Sequence, residues 1–347
     1  MKITHALAIS SIALSSLFTS TYADAGYRDS FISFEVKTNT IFSKKNIKKK
    51  VYPASMTKIL TAYIILRDVK DLKKITKISK NAWGYKFRHG SRMFLEPNTE
   101  VTIEDLLKGL LIQSGNDSAI ALAEFHSGST KSFVKVMNKT AKAIGMMDSN
   151  FANPNGRHNK NHYTTASDFK LLIDKTLKET PEIIKFTTLK SFKYNGISQH
   201  NRNKMLDTAN SIGLKTGYTP QSGYNLTSCF DENGGFFCTI EFGSNNPRRR
   251  FANSIKAKEK YFSDKKVYQI DPQIIYLNDK HNKYTINIPS TFTKLVNLDE
   301  SIETTVIRKM HPAQNENQNV DILIKSDKWE EKIKAVLLTT ELPNGST

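Results

Sequence analysis

Between residues 59 and 66 only Thr61 interrupts an apolar run of Ile59, Leu60, Ala62, Tyr63, Ile64, Ile65 and Leu66. A helix that is apolar on every side belongs in the middle of a domain, not on its surface. This one is predicted to start at Ser55, just after Pro53-Ala54. Two short strands, 31–36 and 39–42, are expected before it. Thr102-Ile103-Glu104-Asp105 is a variant capping box that opens a helix running to Ile112. Further helices are predicted over 117–125 and 131–144. Asn153-Pro154-Asn155-Gly156 then opens a polar loop that ends near Thr165. From Ile212 the pattern becomes β, with strands over 212–217, 224–230 and 236–242, followed by a basic helix over 249–261. Past Lys266, Tyr284, Ile286 and Ile288 alternate with polar residues, as do Val320, Ile322 and Ile324. That period of two marks strands. The expected fold class is α+β, an antiparallel sheet with helices, followed by a small all-β domain. The expected organisation is an export signal over 1–25, a catalytic domain over 26–264 and a β-rich domain over 265–347.

Composition changes this picture little. The 347 residues are 38% hydrophobic and contain no repeat or low-complexity tract, which suits one full domain plus a smaller one. The net charge of +18 fits two readings. One is peripheral attraction to anionic membrane or wall material; the other is a solvated, lysine-rich surface. The lysines are scattered and no nucleic-acid-binding motif accompanies them, which argues against a nucleic-acid partner.

The two ends speak to location. Lys2 precedes an apolar stretch over 6–18, too short to span a bilayer comfortably, and small residues follow at Thr21-Tyr22-Ala23 or Ala23-Asp24-Ala25. This reads as a cleaved export signal, and serines within the stretch oppose the alternative of a permanent anchor. The mature chain is therefore expected outside the cytoplasm, in the periplasm or cell envelope. Near the other end, Pro343 and Gly345 oppose helix. Any membrane attachment there is expected to be electrostatic and screened by salt.

Cys229 and Cys238 are the two cysteines of the chain. Asn233-Gly234 between them is a strong hairpin signal, and counting outward from it sets Cys229 opposite Cys238. The pair falls at a site without ladder hydrogen bonds, where facing side chains are closest. Either a bridge or a pair of buried thiols satisfies that placement. The histidines form no ligand pattern and the cysteines no cluster, so no metal or other cofactor is expected.

Three short motifs carry the candidate chemistry: Ser55-Met56-Thr57-Lys58, Ser114-Gly115-Asn116 and Lys215-Thr216-Gly217. Each is weak alone. Ser-x-x-Lys occurs at Ser55, Ser132, Ser167 and Ser263, and Ser-x-Asn also begins at Ser79 and Ser244. Context separates them. Lys58 rides into the buried helix one turn after Ser55, so hydroxyl and amine are neighbours, and a buried lysine must be paired or lose its charge. A serine hydroxyl is a weak nucleophile and needs such a base. Ser114-Gly115-Asn116 breaks the chain between two predicted helices, where its polar groups could relay a proton. Lys215-Thr216-Gly217 sets a cation and a hydroxyl on a strand, with a glycine that admits close backbone approach. A second ammonium there is expected to lower the proton affinity of Lys58.

Taken together and in this order, the motifs resemble those of the low-molecular-mass penicillin-binding proteins of the D-alanyl-D-alanine carboxypeptidase type. The resemblance also takes in Asn201-Arg202-Asn203, Tyr218-Thr219 and Ser222-Gly223-Tyr224-Asn225-Leu226. It implies that Ser55 is the acylated nucleophile and Lys58 its base, with Ser114 and Asn116 completing the proton path. It implies that Lys215, Thr216, Gly217 and Tyr218 face the substrate, with the backbone N–H groups of Ser55 and Tyr218 as the oxyanion hole. Arg250 matches the arginine that helps bind the terminal carboxylate of the peptide. The implied partners are peptidoglycan stem peptides and, as covalent inhibitors, β-lactams. Where that family often has histidine, this chain has Asn155. The alternatives are a class A-like β-lactamase or an inactive wall-binding protein. The first needs a loop glutamate to activate water, and no glutamate lies between residues 131 and 178. Against the second, none of the three motifs is degraded.

Overall fold

The structure, a computed structural model, describes residues 30–263 apart from 209, 233 and 234. Beyond these it describes seven strands between 265 and 341 together with residues 302 and 326. The expected export signal, the Asn233-Gly234 turn and the segment carrying Pro343 and Gly345 lie outside the described residues. What is described falls into two compact units that part between Tyr261 and Phe262.

In chain order the first unit contains β1 (Ser30–Glu35), β2 (Ile41–Lys45), α1 (Lys58–Asp68), β3 (Ile75–Lys77), β4 (Glu100–Thr102) and α2 (Ile103–Lys108). Next come α3 (Asn116–Ser127), α4 (Thr130–Ala143), α5 (Ala166–Glu179), α6 (Ile183–Thr187), β5 (Ser191–Tyr194) and β6 (Ile197–His200). It ends with β7 (Ser211–Thr219), β8 (Gly223–Glu232), β9 (Gly235–Ser244) and α7 (Pro247–Ser263). Five strands form one antiparallel sheet in the order β2-β1-β9-β8-β7, which leaves β7 at an edge. The apolar run does form the central helix: Lys58 to Leu66 of α1 are all buried. Against the sheet, Phe169 of α5 meets Phe242 of β9 edge to face, ring centroids 5.5 Å apart, and such pairs favour this geometry over a flat stack.

The hairpin register is the expected one, with Glu232 facing Gly235 and Cys229 facing Cys238. Those cysteines are joined by a disulfide, their Cα atoms 4.1 Å apart.

Three expectations need correction. The second strand begins at Ile41, because residues 36–38 turn back on Glu35, whose carboxylate accepts the Thr38 N–H at 2.5 Å. The helix opened by Thr102, whose side chain does cap Asp105 N–H at 3.1 Å, does not run on to Ile112 as an α-helix. After Lys108 it widens into a π turn over Gly109–Gln113. Gly109 permits this, since a Cβ there would sit 2.3 Å from the Met93 sulfur. Finally, α5, α6, β5 and β6 arise within 166–208, where no element was expected. Thr165 caps α5 through the Asp168 N–H at 3.1 Å, and Phe169, Leu172, Ile173 and Thr176 line its buried face.

In the second unit the strands are β10 (Lys265–Ile270), β11 (Gln273–Asn278), β12 (Lys283–Ile288), β13 (Phe292–Asn297), β14 (Glu303–Ile307), β15 (Gln318–Lys325) and β16 (Glu330–Glu341). They make an antiparallel β10-β13 pair and a five-stranded antiparallel sheet ordered β11-β12-β16-β15-β14. The alternating segments seen in the sequence are β12 and β15.

Candidate active site

Ser55 sits in a short 3-10 turn, Ala54–Thr57, that leads directly into α1. Ala54 adopts φ +49°, a left-handed conformation that costs an L-residue roughly 1 kcal/mol. The turn persists because its surroundings hold it on two sides. Gly156 (φ +78°) lies so close that a Cβ there would come within 1.9 Å of the Ala54 carbonyl oxygen. Gly217 of β7 is constrained too, though less severely, since its Cβ would stand 2.9 Å from the Pro53 oxygen and 3.2 Å from the Ser55 nitrogen. Nothing but glycine lets strand and turn meet there.

One helical turn on, Lys58 is fully buried. Its Nζ lies 2.9 Å from Ser55 Oγ, 2.9 Å from Asn116 Oδ1 and 2.7 Å from the Asn155 carbonyl oxygen. Burial pulls its pKa down from 10.5 to about 7, with the Asp117 carboxylate acting in the opposite direction. The neutral amine has two N–H groups, and Asn116 and Asn155 accept both. Its lone pair is then left for the Ser55 hydroxyl, which donates to it. This is the geometry a general base requires.

The π turn and the break after it deliver Asn116. Ser114 takes φ +66° and the Gly115 N–H donates to the Gly109 oxygen at 2.8 Å. Asn116 is thereby the first residue of α3, and its N–H donates to the Ser91 oxygen at 2.9 Å. Ser114 is buried beside it, but its hydroxyl makes no hydrogen bond to Lys58 or to any other described residue. Of the four expected proton-path residues, three are joined directly: Ser55, Lys58 and Asn116. Asp117, next in the chain, is also buried. Its carboxylate accepts the N–H groups of Met93 at 2.8 Å, Leu95 at 3.2 Å and Ser118 at 2.9 Å. Burial raises its pKa against the pull of those bonds.

Asn155 belongs to the polar loop, which is fixed from two directions. Thr61 Oγ1 donates to the Pro154 oxygen at 2.7 Å. His162 accepts the Ala152 N–H through Nδ1 at 3.2 Å, so its Nε2–H donates to Thr57 Oγ1 at 2.8 Å. Burial lowers the His162 pKa to about 4, and the ring stays neutral at ordinary pH.

Across from Ser55, β7 presents the third motif. Lys215 is 1% exposed, and its Nζ donates to the Thr216 oxygen at 3.1 Å. Burial pushes its pKa well below the usual value, and the charges of Lys58, Arg250 and Arg202 push it further. Repulsion between two ammonium groups acts on both alike, so the Lys58–Lys215 pair disfavours having both charged, while burial is the larger cause of the lowered value of each. Thr216 and Gly217 are buried, whereas Tyr218 is half exposed and stacks on Tyr224 at 4.4 Å. Arg250 of α7 is buried behind this strand. Its Nη1 donates to the Gly217 oxygen at 3.1 Å and the Asn225 oxygen at 2.9 Å, while its Nε has no partner among the described residues. Its guanidinium therefore braces the β7–β8 backbone in addition to supplying charge. Burial lowers its pKa to about 10.

Sequence reasoning missed the Asn155 carbonyl, Asp117, His162 and Asn225 as contributors. Asn225 had a signal, because asparagine is depleted in strand interiors and here follows Tyr224 and precedes an apolar residue. A backbone carbonyl leaves none.

A serine whose hydroxyl meets an amine rather than an imidazole is the arrangement of serine acyl-transfer sites with a lysine base. Residues 19–245 match the family described as D-alanyl-D-alanine carboxypeptidase. The chain belongs to that family of serine peptidases. It is 33% identical over 266 residues to the D-alanyl-D-alanine carboxypeptidase DacA of Haemophilus influenzae, covering 73% of this chain and 68% of that protein. With DacC of Escherichia coli it shares 35% identity over 235 residues, covering 65% of this chain and 59% of the relative. Similarity to these curated relatives thus spans about two thirds of their length or less. Penicillin binding protein 5 from Haemophilus influenzae superposes with a TM-score of 0.68 at 26% identity, covering 90% of this chain and 97% of that one.

Proposed function

We propose that the chain is a serine D-Ala-D-Ala carboxypeptidase that trims peptidoglycan stem pentapeptides outside the cytoplasm. Ser55 Oγ attacks the penultimate D-alanine carbonyl while its proton passes to Lys58 Nζ. The oxyanion lies between the backbone N–H groups of Ser55 and Tyr218, and aimed donors of this kind contribute about 3 kcal/mol each. Terminal D-alanine leaves as the amine, taking a proton from the Lys58 ammonium, and water then hydrolyses the ester on Ser55. The free edge of β7 offers the substrate a strand to pair with. Lys215 and Thr216 meet its terminal carboxylate, with Arg250 supplying positive charge from behind. Ser114 and Asn116 serve the proton path, Asn116 directly and Ser114 upon substrate binding. β-Lactams acylate the same serine. The loop that touches Lys58 offers the Asn155 carbonyl rather than a carboxylate, which supports slow deacylation and not a β-lactamase. Residues 26–264 carry the catalysis, 265–347 form a separate β-rich domain, and residues 1–25 direct export. The basic surface would hold the protein near anionic wall or lipid through salt-screened attraction.

The observation that carries this reading is the Lys58 amine, buried and held by two oxygens with Ser55 Oγ as its third neighbour at 2.9 Å. Ser55→Ala should abolish both D-alanine release from a pentapeptide and covalent labelling by a fluorescent penicillin. Retained activity in that variant would remove the assignment.

A further inference from the structure

Beyond the three motifs, the fully buried Asn225 side chain holds the residues that lead into the turn carrying Ser55. Asn225 Nδ2 donates to the carbonyl oxygens of Tyr52 at 2.9 Å and Pro53 at 3.1 Å. Its Oδ1 accepts the Gly243 N–H at 2.9 Å, and its own carbonyl receives Arg250 Nη1 at 2.9 Å. Every polar atom of this side chain is thus committed, and the bonds run to the nucleophile turn and to the neighbouring strand.

The strand geometry explains how an asparagine comes to point there. Tyr224 pairs with Ser244 but Leu226 pairs with Glu241, so β9 spends one residue more than β8 across this interval. That is a β-bulge, a device that redirects side chains beside functional sites. Gly243 takes φ +77° within it, and its N–H is the one that Asn225 Oδ1 accepts. On the other side, Asn225 lies directly opposite Gly217 in the β7–β8 register. Gly217 is the residue whose missing Cβ lets β7 approach Ser55. The Ala54 conformation is left-handed and intrinsically unfavourable, and such a turn persists only where its surroundings over-determine it.

We propose that Asn225 is the positioning residue that fixes the Tyr52-Pro53-Ala54 segment against the sheet, setting the distance between Ser55 and the β7 backbone. It acts through Ser55 and touches no reacting atom. The proposal rests on Ser55 being the acylated nucleophile. A displacement of about 1 Å at such a site costs on the order of 100-fold in rate.

Two variants separate this role from a purely structural one. Asn225→Asp keeps an acceptor for Gly243 and replaces the two donors toward Tyr52 and Pro53 by oxygen. Asn225→Ala removes both halves. For each, acylation by a fluorescent penicillin is followed across saturating concentrations, which splits the limiting acylation rate from the dissociation constant of the non-covalent complex. The folded fraction is measured by thermal melting and by the labelling endpoint. The expected result is a limiting rate lowered about 100-fold per folded molecule in both variants, with the dissociation constant changed less than about threefold. A limiting rate per folded molecule within threefold of wild type in Asn225→Asp would overturn the proposal, as would failure of both variants to fold. Wild type is run beside them, with the labelled peptide identified by mass spectrometry. No label on Ser55 of wild type would defeat the acyl-transfer reading itself, whereas labelled wild type with unaffected variants defeats only the role of Asn225.

Discussion

The two buried lysines of the site live under opposite conditions. Lys58 has three oxygen neighbours within 2.9 Å and stands on a helix buried on all sides. Lys215 stands on an edge strand and donates to one protein oxygen, that of Thr216, at 3.1 Å. Both lose proton affinity through burial, but the three cations Lys58, Arg250 and Arg202 weigh on Lys215, whereas the Asp117 carboxylate partly supports the charge on Lys58. The first arrangement completes an amine that can take a proton from a hydroxyl. The second leaves a donor whose charge is best stabilised by an anion brought in from outside. In the proposed mechanism the same residue type serves as a base in one place and an anchor in the other, and the difference lies in the partners that the fold supplies.

The largest effect is expected where the base is removed. Lys58→Ala should lower penicillin acylation by about 1,000-fold, within the range of general base catalysis. A loss under tenfold would mean that another group takes the Ser55 proton. By the proposed mechanism, acylation in wild type requires the neutral amine. The rate should therefore rise about tenfold per pH unit below about 7 and level off above it.

Lys215→Ala comes next, with acylation lowered about 100-fold at little cost in melting temperature, since a lost charge contact in a dry site is worth a few kcal/mol. Its pH midpoint should stay near 7, because burial sets the Lys58 value. A midpoint raised by a unit or more would make Lys215 the tuner of Lys58 and erase the contrast between the two.

The smallest effect lies behind the Lys215 strand. Glu241 is buried, accepts both bonds from Asn253 Nδ2 at 3.1 Å, and burial lifts its pKa from 4.5 to about 7. A carboxyl with a raised folded-state pKa contributes stability that is lost as pH rises from the unfolded value through the folded one. Glu241→Gln should remove that loss. It should melt like wild type near pH 4 and be more stable than wild type at pH 8, by on the order of 3 kcal/mol. Equal melting at both pH values would place the Glu241 pKa in the ordinary range.

What the sequence made legible was local. Ser55 and Lys58 are one helical turn apart, and the Cys229–Cys238 register follows from counting outward from a two-residue turn. The capping role of Thr102 is likewise written in its neighbours. What it hid depends on backbone placement over long separations. The Asn155 oxygen reaches Lys58 across 97 residues, and no side chain announces it. The π turn after Lys108 depends on space beside Met93, which the helical period does not encode. Arg250 was legible as a cation, but its bonds to Gly217 and Asn225 follow from where α7 lies against the sheet.

Asp117 ties the segment 91–95 to the start of α3, and Gln199 Nε2 holds the same segment through the Met93 oxygen at 3.0 Å. Asn116 is part of the same assembly through Ser91. The aim of the Asn116 oxygen at Lys58 therefore depends on residues outside the three motifs. Because these bonds run through the main chain of Ser91, Met93 and Leu95, the side chains that hold the segment are those of Asp117 and Gln199, and a change at either would loosen the support of Asn116 while Ser55 and Lys58 remain unchanged.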